Sequence, residues 1–178
     1  MKVENNQMLD ALLADAPIPA YAEQMTIYQP FIGSWDVDVI DYDTEGSAIK
    51  NHGEWYFDWI LEGRAIQDIW IVPPRQHRAK QTRDFSHNRY GTTIRVYNPT
   101  IEAWDITWIN PVTMAYDRMI GKKDGDDIVQ EYTTEDGTLN HWIFTEITSN
   151  SFHWIGKSSN DEGRSWQIEA EFFAERHK

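Results

Sequence analysis

The sequence predicts an all-β fold, an up-and-down antiparallel β-barrel of about ten strands. From residue 31 onward, apolar and polar residues alternate with a period of two, as they do in half-buried strands. Turn sequences such as Asn-Pro, Asp-Gly and Glu-Gly recur at the short, regular intervals typical of an all-β barrel or sandwich. Aromatic residues make up 13% of the 178 residues, and nine are tryptophan, which favours strands over helices. A closed barrel is preferred to an open sheet because closure leaves no exposed edge to aggregate.

The N-terminal segment, residues 1–30, is predicted to be helical. Asn6 is a suitable N-cap, and Pro17 and Pro19 end the helix that follows it. The apolar residues at helical spacing in that helix are Met8, Leu9, Leu12 and Leu13. A second helical piece is expected over residues 20–28. Such a segment usually closes one end of a barrel, and the alternative is that it packs on a second subunit. The chain therefore divides into this closing segment and a barrel domain, residues 31–178.

The barrel is predicted to begin at the stretch Gly33-Ser34-Trp35, which opens an alternating run after Pro30. Each later strand is a short alternating or apolar run that ends at Gly, Pro, Asn or Asp. The hairpin signal at Asp136-Gly137 is the strongest of these turns. The ten predicted strands cover residues 35–43, 51–61, 65–72, 91–97, 103–109, 114–122, 128–134, 140–148, 152–158 and 165–174.

The alternation also predicts which side chains point into the barrel. In the second strand Trp55, Phe57 and Trp59 share one face. In the fifth strand the face with Trp104, Ile106 and Trp108 is expected inside. Whether Arg95 and Tyr97 share that face depends on the length of the loop between the fourth and fifth strands. Arg95 would then stack on the Trp104 ring, a contact of about 1 kcal/mol.

Hairpin geometry predicts a polar pair inside the barrel. If Ser149-Asn150 is a two-residue loop, Glu146 lies opposite His153, on the same face as Trp142 and Phe144. A carboxylate beside an imidazole raises the pKa of the histidine and lets it act as an acid, a base or a hydrogen-bond donor. Glu146 and His153 are therefore the candidate catalytic residues. The alternative is that both lie at the barrel rim, in water.

The same geometry predicts an ion pair between Arg118 and Glu131. A turn at Asp124-Gly125 places these two residues opposite each other, and the Asp136-Gly137 turn places Glu131 opposite Trp142, inside the barrel. Because a buried unpaired charge is prohibitive, each would need the other. Such a pair would anchor a ligand carboxylate or carbonyl, or it would be purely structural.

The connection over residues 75–89 differs from the rest of the chain in composition and length. It carries five basic residues and one acidic residue in a strongly acidic protein, and it is too long for a plain hairpin. Long loops of this kind are often functional lids. One hypothesis is that it gates the barrel mouth and attracts a ligand with an anionic or polar head. The alternative is a solvated loop whose charges offset acidic neighbours.

Composition excludes several classes of function. The net charge of −13 argues against nucleic acid and anionic membranes as partners. There is no cysteine, and the six histidines show no metal-ligand spacing, so no metal site is expected. No Gly-rich phosphate loop occurs, and no cofactor is expected. The N-terminus has no apolar signal region, and no run is long enough to span a bilayer, so a cytoplasmic protein is expected.

The sequence resembles the lipocalin and calycin group. In that group the tryptophan of the first strand, here Trp35, packs under an arginine near the chain end, here Arg176. The segments 59–64, 97–99 and 166–169 resemble more closely an uncharacterised family of bacterial lipocalin-like domains. This resemblance covers roughly residues 30–176 and implies an up-and-down barrel with one open mouth and an interior site for a small apolar molecule. Relatives of the nitrobindin type hold haem through a histidine that matches no position here.

Three functional hypotheses follow from these observations. The first is a barrel that binds a small hydrophobic or aromatic molecule in a tryptophan-rich lumen with internal polar anchors. The second is an isomerase, cyclase or hydratase on the same barrel, with Glu146 and His153 or Arg118 and Glu131 as its acid–base groups. The third is a structural or interaction protein with a solid lumen. A homodimer is suggested by the apolar N-terminal segment and by Trp154 and Phe173, which are predicted outside. The candidate ligand-binding residues are Trp55, Arg95, Trp104, Trp108, Arg118, Glu131, Trp142, Phe144, Glu146 and His153.

Overall fold

The computed structural model describes residues 6–78 and 88–178. All ten predicted strands are present, and a two-residue strand precedes them. The strands are β1 (Leu13–Ala14), β2 (Gly33–Tyr42), β3 (Ala48–Ile60), β4 (Ala65–Val72), β5 (Arg89–Asn98), β6 (Ala103–Asn110), β7 (Ala115–Asp124), β8 (Asp127–Thr133), β9 (Leu139–Thr145), β10 (Ser151–Ser159) and β11 (Gln167–Arg176).

The strands form one closed antiparallel barrel. Around the barrel the order is β3, β2, β11, β10, β9, β8, β7, β6, β5 and β4, and pairing of β3 with β4 closes the ring. From β2 to β11 each strand pairs with the strands before and after it in the chain, so the topology is up-and-down, and β11 returns to β2. The short β1 adds to the edge of β3, where Leu13 lies opposite Ile60. The predicted fold class is confirmed.

The N-terminal segment contains four short helical pieces. They are α1 (Gln7–Leu12), a 3₁₀ turn (Pro19–Tyr21), α2 (Ala22–Met25) and a second 3₁₀ turn (Gln29–Phe31). The side chain of Asn6 caps α1 by accepting a hydrogen bond from the Met8 amide at 3.2 Å. No residue of α1 is buried, whereas Met25, Tyr28 and Phe31 are completely buried in the barrel core.

Trp35 and Arg176 make the contact that the lipocalin and calycin resemblance implied. The guanidinium carbon of Arg176 lies 4.2 Å from the centre of the Trp35 ring. The Trp35 indole N–H donates to the Phe31 carbonyl at 2.6 Å. Arg176 donates to the carbonyls of Ile32 and Pro30 at 2.9 and 2.8 Å, so it ties the end of the chain to the start of β2.

The predicted register between β9 and β10 was wrong by one residue. His153 lies opposite Thr145 rather than Glu146, because β9 ends at Thr145 and Glu146 takes a left-handed conformation with φ of 52°. The connection is therefore five residues long, not two. Since side chains alternate between faces, a slip of one residue reverses the orientation of a whole strand. Trp154, predicted outside, is buried in the barrel, and Ile155, predicted inside, is not.

The predicted ion pair of Arg118 and Glu131 does not form in the lumen. Asp124 lies opposite Asp127, so the turn comes one residue later than predicted and Glu131 lies opposite Ile120. Arg118 and Glu131 are both exposed. The inward position belongs instead to Gln130, which lies opposite Trp142.

The β5–β6 hairpin, whose register the sequence left open, places Arg95 opposite Ile106 and Tyr97 opposite Trp104. Arg95 therefore points into the barrel and is 1% exposed. The expected contact with the Trp104 ring is replaced by others. The guanidinium lies over the Tyr28 ring at 5.2 Å and over the Phe57 and Phe144 rings at 5.7 Å.

Candidate functional site

Aromatic side chains fill the interior at the end of the barrel where β2 begins and β11 ends. Phe31 packs against Phe144 and Phe152, with ring centres 4.7 and 4.9 Å apart. Tyr28 meets Trp104 edge-on at 4.8 Å. The N-terminal segment supplies both Tyr28 and Phe31, so this half of the barrel, the closed half, is packed as a core.

The closed half also buries an ion pair that the sequence did not predict. Arg95 Nη1 donates to Asp68 Oδ2 at 2.5 Å, and Arg95 Nε donates to Gln130 Oε1 at 2.9 Å. All three residues are at most 1% exposed. Asp68 Oδ1 and Gln130 Nε2 have no hydrogen-bond partner in the described part of the chain. Burial raises the pKa of the neighbouring Tyr28 phenol to about 12.

The opposite end of the barrel contains an open cavity of about 280 Å³. It lies where β4 ends and β5 begins, which is the end that carries the connection 75–89. Four aromatic residues, Trp70, Trp108, Tyr132 and Trp142, form its apolar wall, and we call this group the tryptophan cup. The other lining residues are Asn88, Arg89, Asn110, Thr113, Glu169 and Ala170.

The rings of the cup pack against one another at steep angles. Trp142 meets Trp108 at 5.9 Å and Trp70 at 6.1 Å, with interplanar angles of 73° and 87°. Tyr132 stands perpendicular to Trp142 at 6.2 Å. Trp154 lies behind them, 5.4 Å from Trp142. The buried indole N–H of Trp70 has no hydrogen-bond partner among residues 6–78 and 88–178, which is uncommon for a buried donor.

Arg89 reaches into the cavity from the start of β5. Its two terminal nitrogens bind both oxygens of Asp41, at 3.1 and 2.5 Å. The guanidinium carbon also lies 5.1 Å from the centre of the Trp70 ring and 5.3 Å from that of Phe172. A cation therefore already lies over an indole of the cup, and the carboxylate of Asp41 neutralises it.

Carboxylates lie at the mouth of the cup. Between β10 and β11 the register shifts, because Gly156 lies opposite Ala170 and Lys157 lies opposite Ile168. Glu169 is the extra residue of this β-bulge, and bulges commonly re-aim a side chain. Its carboxylate lines the cavity and accepts a hydrogen bond from the Ser158 hydroxyl at 2.7 Å. Asp117 lies directly opposite the inward-facing Trp108.

Electrostatics at the mouth follow from this arrangement. Burial raises the pKa of the Tyr132 phenol, and the carboxylates of Asp117 and Glu169 raise it further. Burial also raises the pKa of Asp117 itself. Tyr132 therefore keeps its proton throughout the physiological range and is a hydrogen-bond donor at the cavity wall.

The structure divides the ten sequence-predicted ligand-binding residues into three groups. Trp108 and Trp142 line the cup. Trp55, Arg95, Trp104 and Phe144 lie in the packed core of the barrel, and Trp55 has an indole N–H without a partner in the described chain. The remaining four, Arg118, Glu131, Glu146 and His153, do not enter the lumen.

The outward-facing candidates have surface partners instead. The His153 ring stacks on Phe173 at 4.3 Å, and its Nε2 lies 3.1 Å from Glu171 Oε1, without the alignment of a hydrogen bond. Glu131 lies 3.4 Å from Nε2 of His141. Arg118 and Glu131 line a depression of about 510 Å³ on the outer wall. Glu146 is exposed, so Glu146 and His153 form no pair.

Several residues of the site were missed by sequence reasoning. Asp68 and Trp70 alternate with Gln67 and Ile69, so their shared face was readable from the spacing in β4. Tyr132 and Gln130 lie two residues apart and so share a face of β8. Sequence reasoning missed both because it placed the turn between β8 and β9 one residue out of register and paired Glu131 with Trp142. Glu169 could not be placed inside, because a bulge breaks the alternation and has no fixed sequence signature.

The connection 75–89 is only partly described. Arg75 donates to Glu54 and to Tyr56 on the outer wall, at 2.6 and 2.7 Å. Arg78 donates to the carbonyls of Val72 and Arg89 at 3.2 and 3.1 Å. Residues 79–87 lie outside the described residues, and with them the central part of the proposed lid.

Residues 6–78 and 88–178 contain no cluster of three or more His, Cys, Asp or Glu side chains that could hold a metal ion. Within the same ranges no helix is long and apolar enough to cross a membrane. A second outer depression, of about 860 Å³, contains His52, His177 and Arg75, all of which already pair with acidic neighbours.

The barrel resembles a solved structure of low sequence similarity. The S-type phycobiliprotein lyase CPES from Guillardia theta superposes with a TM-score of 0.54 and 11% sequence identity, over 86% of this chain and 92% of the lyase chain. At this identity the likeness shows the fold alone. No protein-family model and no curated protein sequence matches the chain.

Proposed function

We propose that this protein binds a small, flat, apolar or aromatic molecule in the tryptophan cup. The observation that carries the proposal is the contrast between the two halves of the barrel. One half is filled by aromatic side chains and a buried ion pair, and the other holds an open cavity of about 280 Å³ walled by Trp70, Trp108, Tyr132 and Trp142. Small-molecule sites are usually concave and combine apolar walls with placed polar groups. Here the aromatic wall is joined by the polar lining residues Asn88, Arg89, Asn110, Thr113 and Glu169.

The cavity volume sets the size of the ligand. Pockets for drug-sized molecules span about 300–1,000 Å³. The cup lies just below this range, so it suits a ligand with one or two rings. The polar groups at its wall, the Tyr132 hydroxyl and the Glu169 carboxylate, would orient such a molecule.

Binding is proposed here rather than catalysis. The enzymatic alternative rested on Glu146 with His153 or on Arg118 with Glu131, and none of these side chains reaches the lumen. The homodimer and the cytoplasmic location stay predictions. Of the two residues that suggested a dimer, Trp154 is buried inside, and Phe173 is 42% exposed on the outer wall.

Native mass spectrometry of protein purified from its own host tests the proposal. We expect a co-purifying small molecule that Trp142→Leu removes. Trp166→Leu is the matched control, because Trp166 stacks on His141 and Lys157 and does not line the cup. A protein that carries no molecule, and whose tryptophan fluorescence does not respond to small aromatic compounds, would contradict the proposal.

A further inference from the structure

We infer that the ligand of the tryptophan cup is a small organic cation, an amine or quaternary ammonium attached to a flat apolar group. This inference rests on the proposed function and adds the charge of the ligand to it. Three features of the cup carry it: carboxylates without a cationic partner in the described part of the chain, an indole face that already holds a guanidinium, and a lumenal arginine that is paired with Asp41.

The first feature is a surplus of negative charge at the mouth. Glu169 lines the cavity and accepts a hydrogen bond from the Ser158 hydroxyl, its one hydrogen bond among residues 6–78 and 88–178, and Asp117 shares the inner face with Trp108. Neither carboxylate lies within ion-pair distance of a basic side chain in the described chain. Arg89 is the one basic residue that lines the cavity there, and Asp41 takes both of its terminal nitrogens. Among the described residues these four groups sum to a net charge of about −2 when the carboxylates are ionised.

The second feature is the chemistry of the wall. A cation placed over an aromatic face is attracted by the ring quadrupole, and tryptophan is the strongest partner. Arg89 demonstrates this contact inside the cup itself, since its guanidinium lies over the Trp70 ring. Trp108, Trp142 and Tyr132 supply further rings around the open volume, at steep angles to one another, so that they surround a ligand on several sides.

The third feature concerns anions. A ligand carboxylate in the cup would meet Glu169, would lie on the same side of the barrel wall as Asp117, and would have to displace Asp41 to bind Arg89. Like charges within a few ångströms repel strongly in a partly desolvated site. The net charge of −13 acts in the same direction at longer range, because it attracts cations towards the protein.

Three compounds that share one ring and differ in charge test the inference. They are 2-phenylethylamine, which is cationic at neutral pH, 2-phenylethanol, which is neutral, and phenylacetate, which is anionic. Calorimetric titration of the full-length protein should show 2-phenylethylamine binding about 5- to 30-fold more tightly than 2-phenylethanol, with phenylacetate weakest. Raising the salt concentration should reduce this preference.

Two variants assign the preference to the carboxylates. Glu169→Gln keeps a hydrogen-bond acceptor for Ser158 and should lower the affinity for 2-phenylethylamine several-fold while leaving 2-phenylethanol unchanged. Asp117→Asn should act in the same sense. Glu175→Gln is the control, since Glu175 is exposed on the same strand, outside the barrel.

The outcomes separate this inference from the proposed function. Equal affinities for the three compounds, or tightest binding of phenylacetate, would overturn the inference that the ligand is a cation. The cup would still be a binding site. A preference for 2-phenylethylamine that Glu169→Gln and Asp117→Asn both leave intact would also overturn it. Binding of none of the three at millimolar concentration would count against the inference and the proposed function together.

Discussion

Arg95 is a guanidinium in the middle of an aromatic core, and its stability depends on Asp68. Both side chains are at most 1% exposed, and they meet at 2.5 Å. Removing one member of a buried pair leaves an uncompensated charge, which costs about 3–5 kcal/mol, whereas replacing both with apolar residues is often neutral. We therefore expect Asp68→Leu to lower the free energy of unfolding by about 3–5 kcal/mol in urea titrations.

The double variant Asp68→Leu with Arg95→Met should recover most of that loss. Arg64→Met is the control, because the Arg64–Glu62 pair is exposed and such pairs contribute about 0–1 kcal/mol. A double variant as unstable as Asp68→Leu alone would show that the pair organises the core beyond its own charge balance.

The raised pKa of Tyr28 predicts how the free energy of unfolding depends on pH in the alkaline range. Its pKa is raised from 10.0 to about 12 in the folded protein, chiefly by burial. The unfolded chain therefore releases this proton first, so the contribution of Tyr28 is complete below pH 10 and is lost as pH rises towards 12. The loss approaches about 3 kcal/mol, because each pKa unit corresponds to about 1.4 kcal/mol.

Urea titrations between pH 9 and 12 measure this effect. Tyr28→Phe should make the decline shallower over that window, while Tyr132, whose pKa is also raised by burial, continues to contribute. Tyr116→Phe is the matched control, since Tyr116 is 59% exposed on the outer wall. An identical decline in the wild type and in Tyr28→Phe would mean that other groups cause it.

At the scale of strands, the sequence predicted which elements exist but not how all of them align. Alternation and turn residues located all ten barrel strands, because a half-buried strand imposes a period of two on its side chains. The register of β9 with β10 depended on loop length, and the left-handed Glu146 adds residues to a turn that looked short. The inward set in β10 was therefore inverted, and Trp154 was placed outside.

The same limit applies to the candidate site. Trp108 and Trp142 were predicted because each lies in a strand with clear alternation. Arg89 was assigned to the basic connection, since nothing in the local sequence distinguishes it from its basic neighbours. Its role depends on Asp41, 48 residues away in the chain, and a contact of that kind follows only from the closed barrel.

The N-terminal segment offers a prediction about an element. Phe31 is completely buried among the rings of the closed half, while Leu9 in α1 is 47% exposed. Phe31→Ala removes a buried ring and should cost about 3–5 kcal/mol of unfolding free energy, whereas Leu9→Ala should cost less than about 0.5 kcal/mol. Similar losses in both variants, measured by thermal unfolding, would mean that α1 also contributes to the core.

At the scale of the whole molecule, the barrel separates stability from binding. The closed half holds the N-terminal segment, the Arg95–Asp68 pair and most of the aromatic contacts. The tryptophan cup lies at the other end and meets the packed core through Trp70, which contacts Trp55, Trp154 and Phe172. Substitutions that change the ligand preference can therefore be made at Glu169 and Asp117 without touching the groups that hold the barrel together.

Net charge gives the prediction that belongs to the molecule as a whole. With 29 acidic and 16 basic residues the surface repels itself, and this repulsion is screened by salt, with a Debye length of about 8 Å at 0.15 M. The ion pairs of Arg95 and Arg89 are buried or nearly so and are screened much less. Salt should therefore weaken the repulsion between surface charges, which destabilises the fold, more than the attraction within the buried ion pairs, which stabilises it.

We expect the midpoint of thermal unfolding at neutral pH to rise by about 2–4 °C between low and physiological salt, equivalent to about 1 kcal/mol. Replacing exposed acids that form no ion pair among the described residues, such as Glu45 and Glu135, with glutamine should reduce that rise. A midpoint that falls with added salt would show instead that attractive surface pairs outweigh the net repulsion.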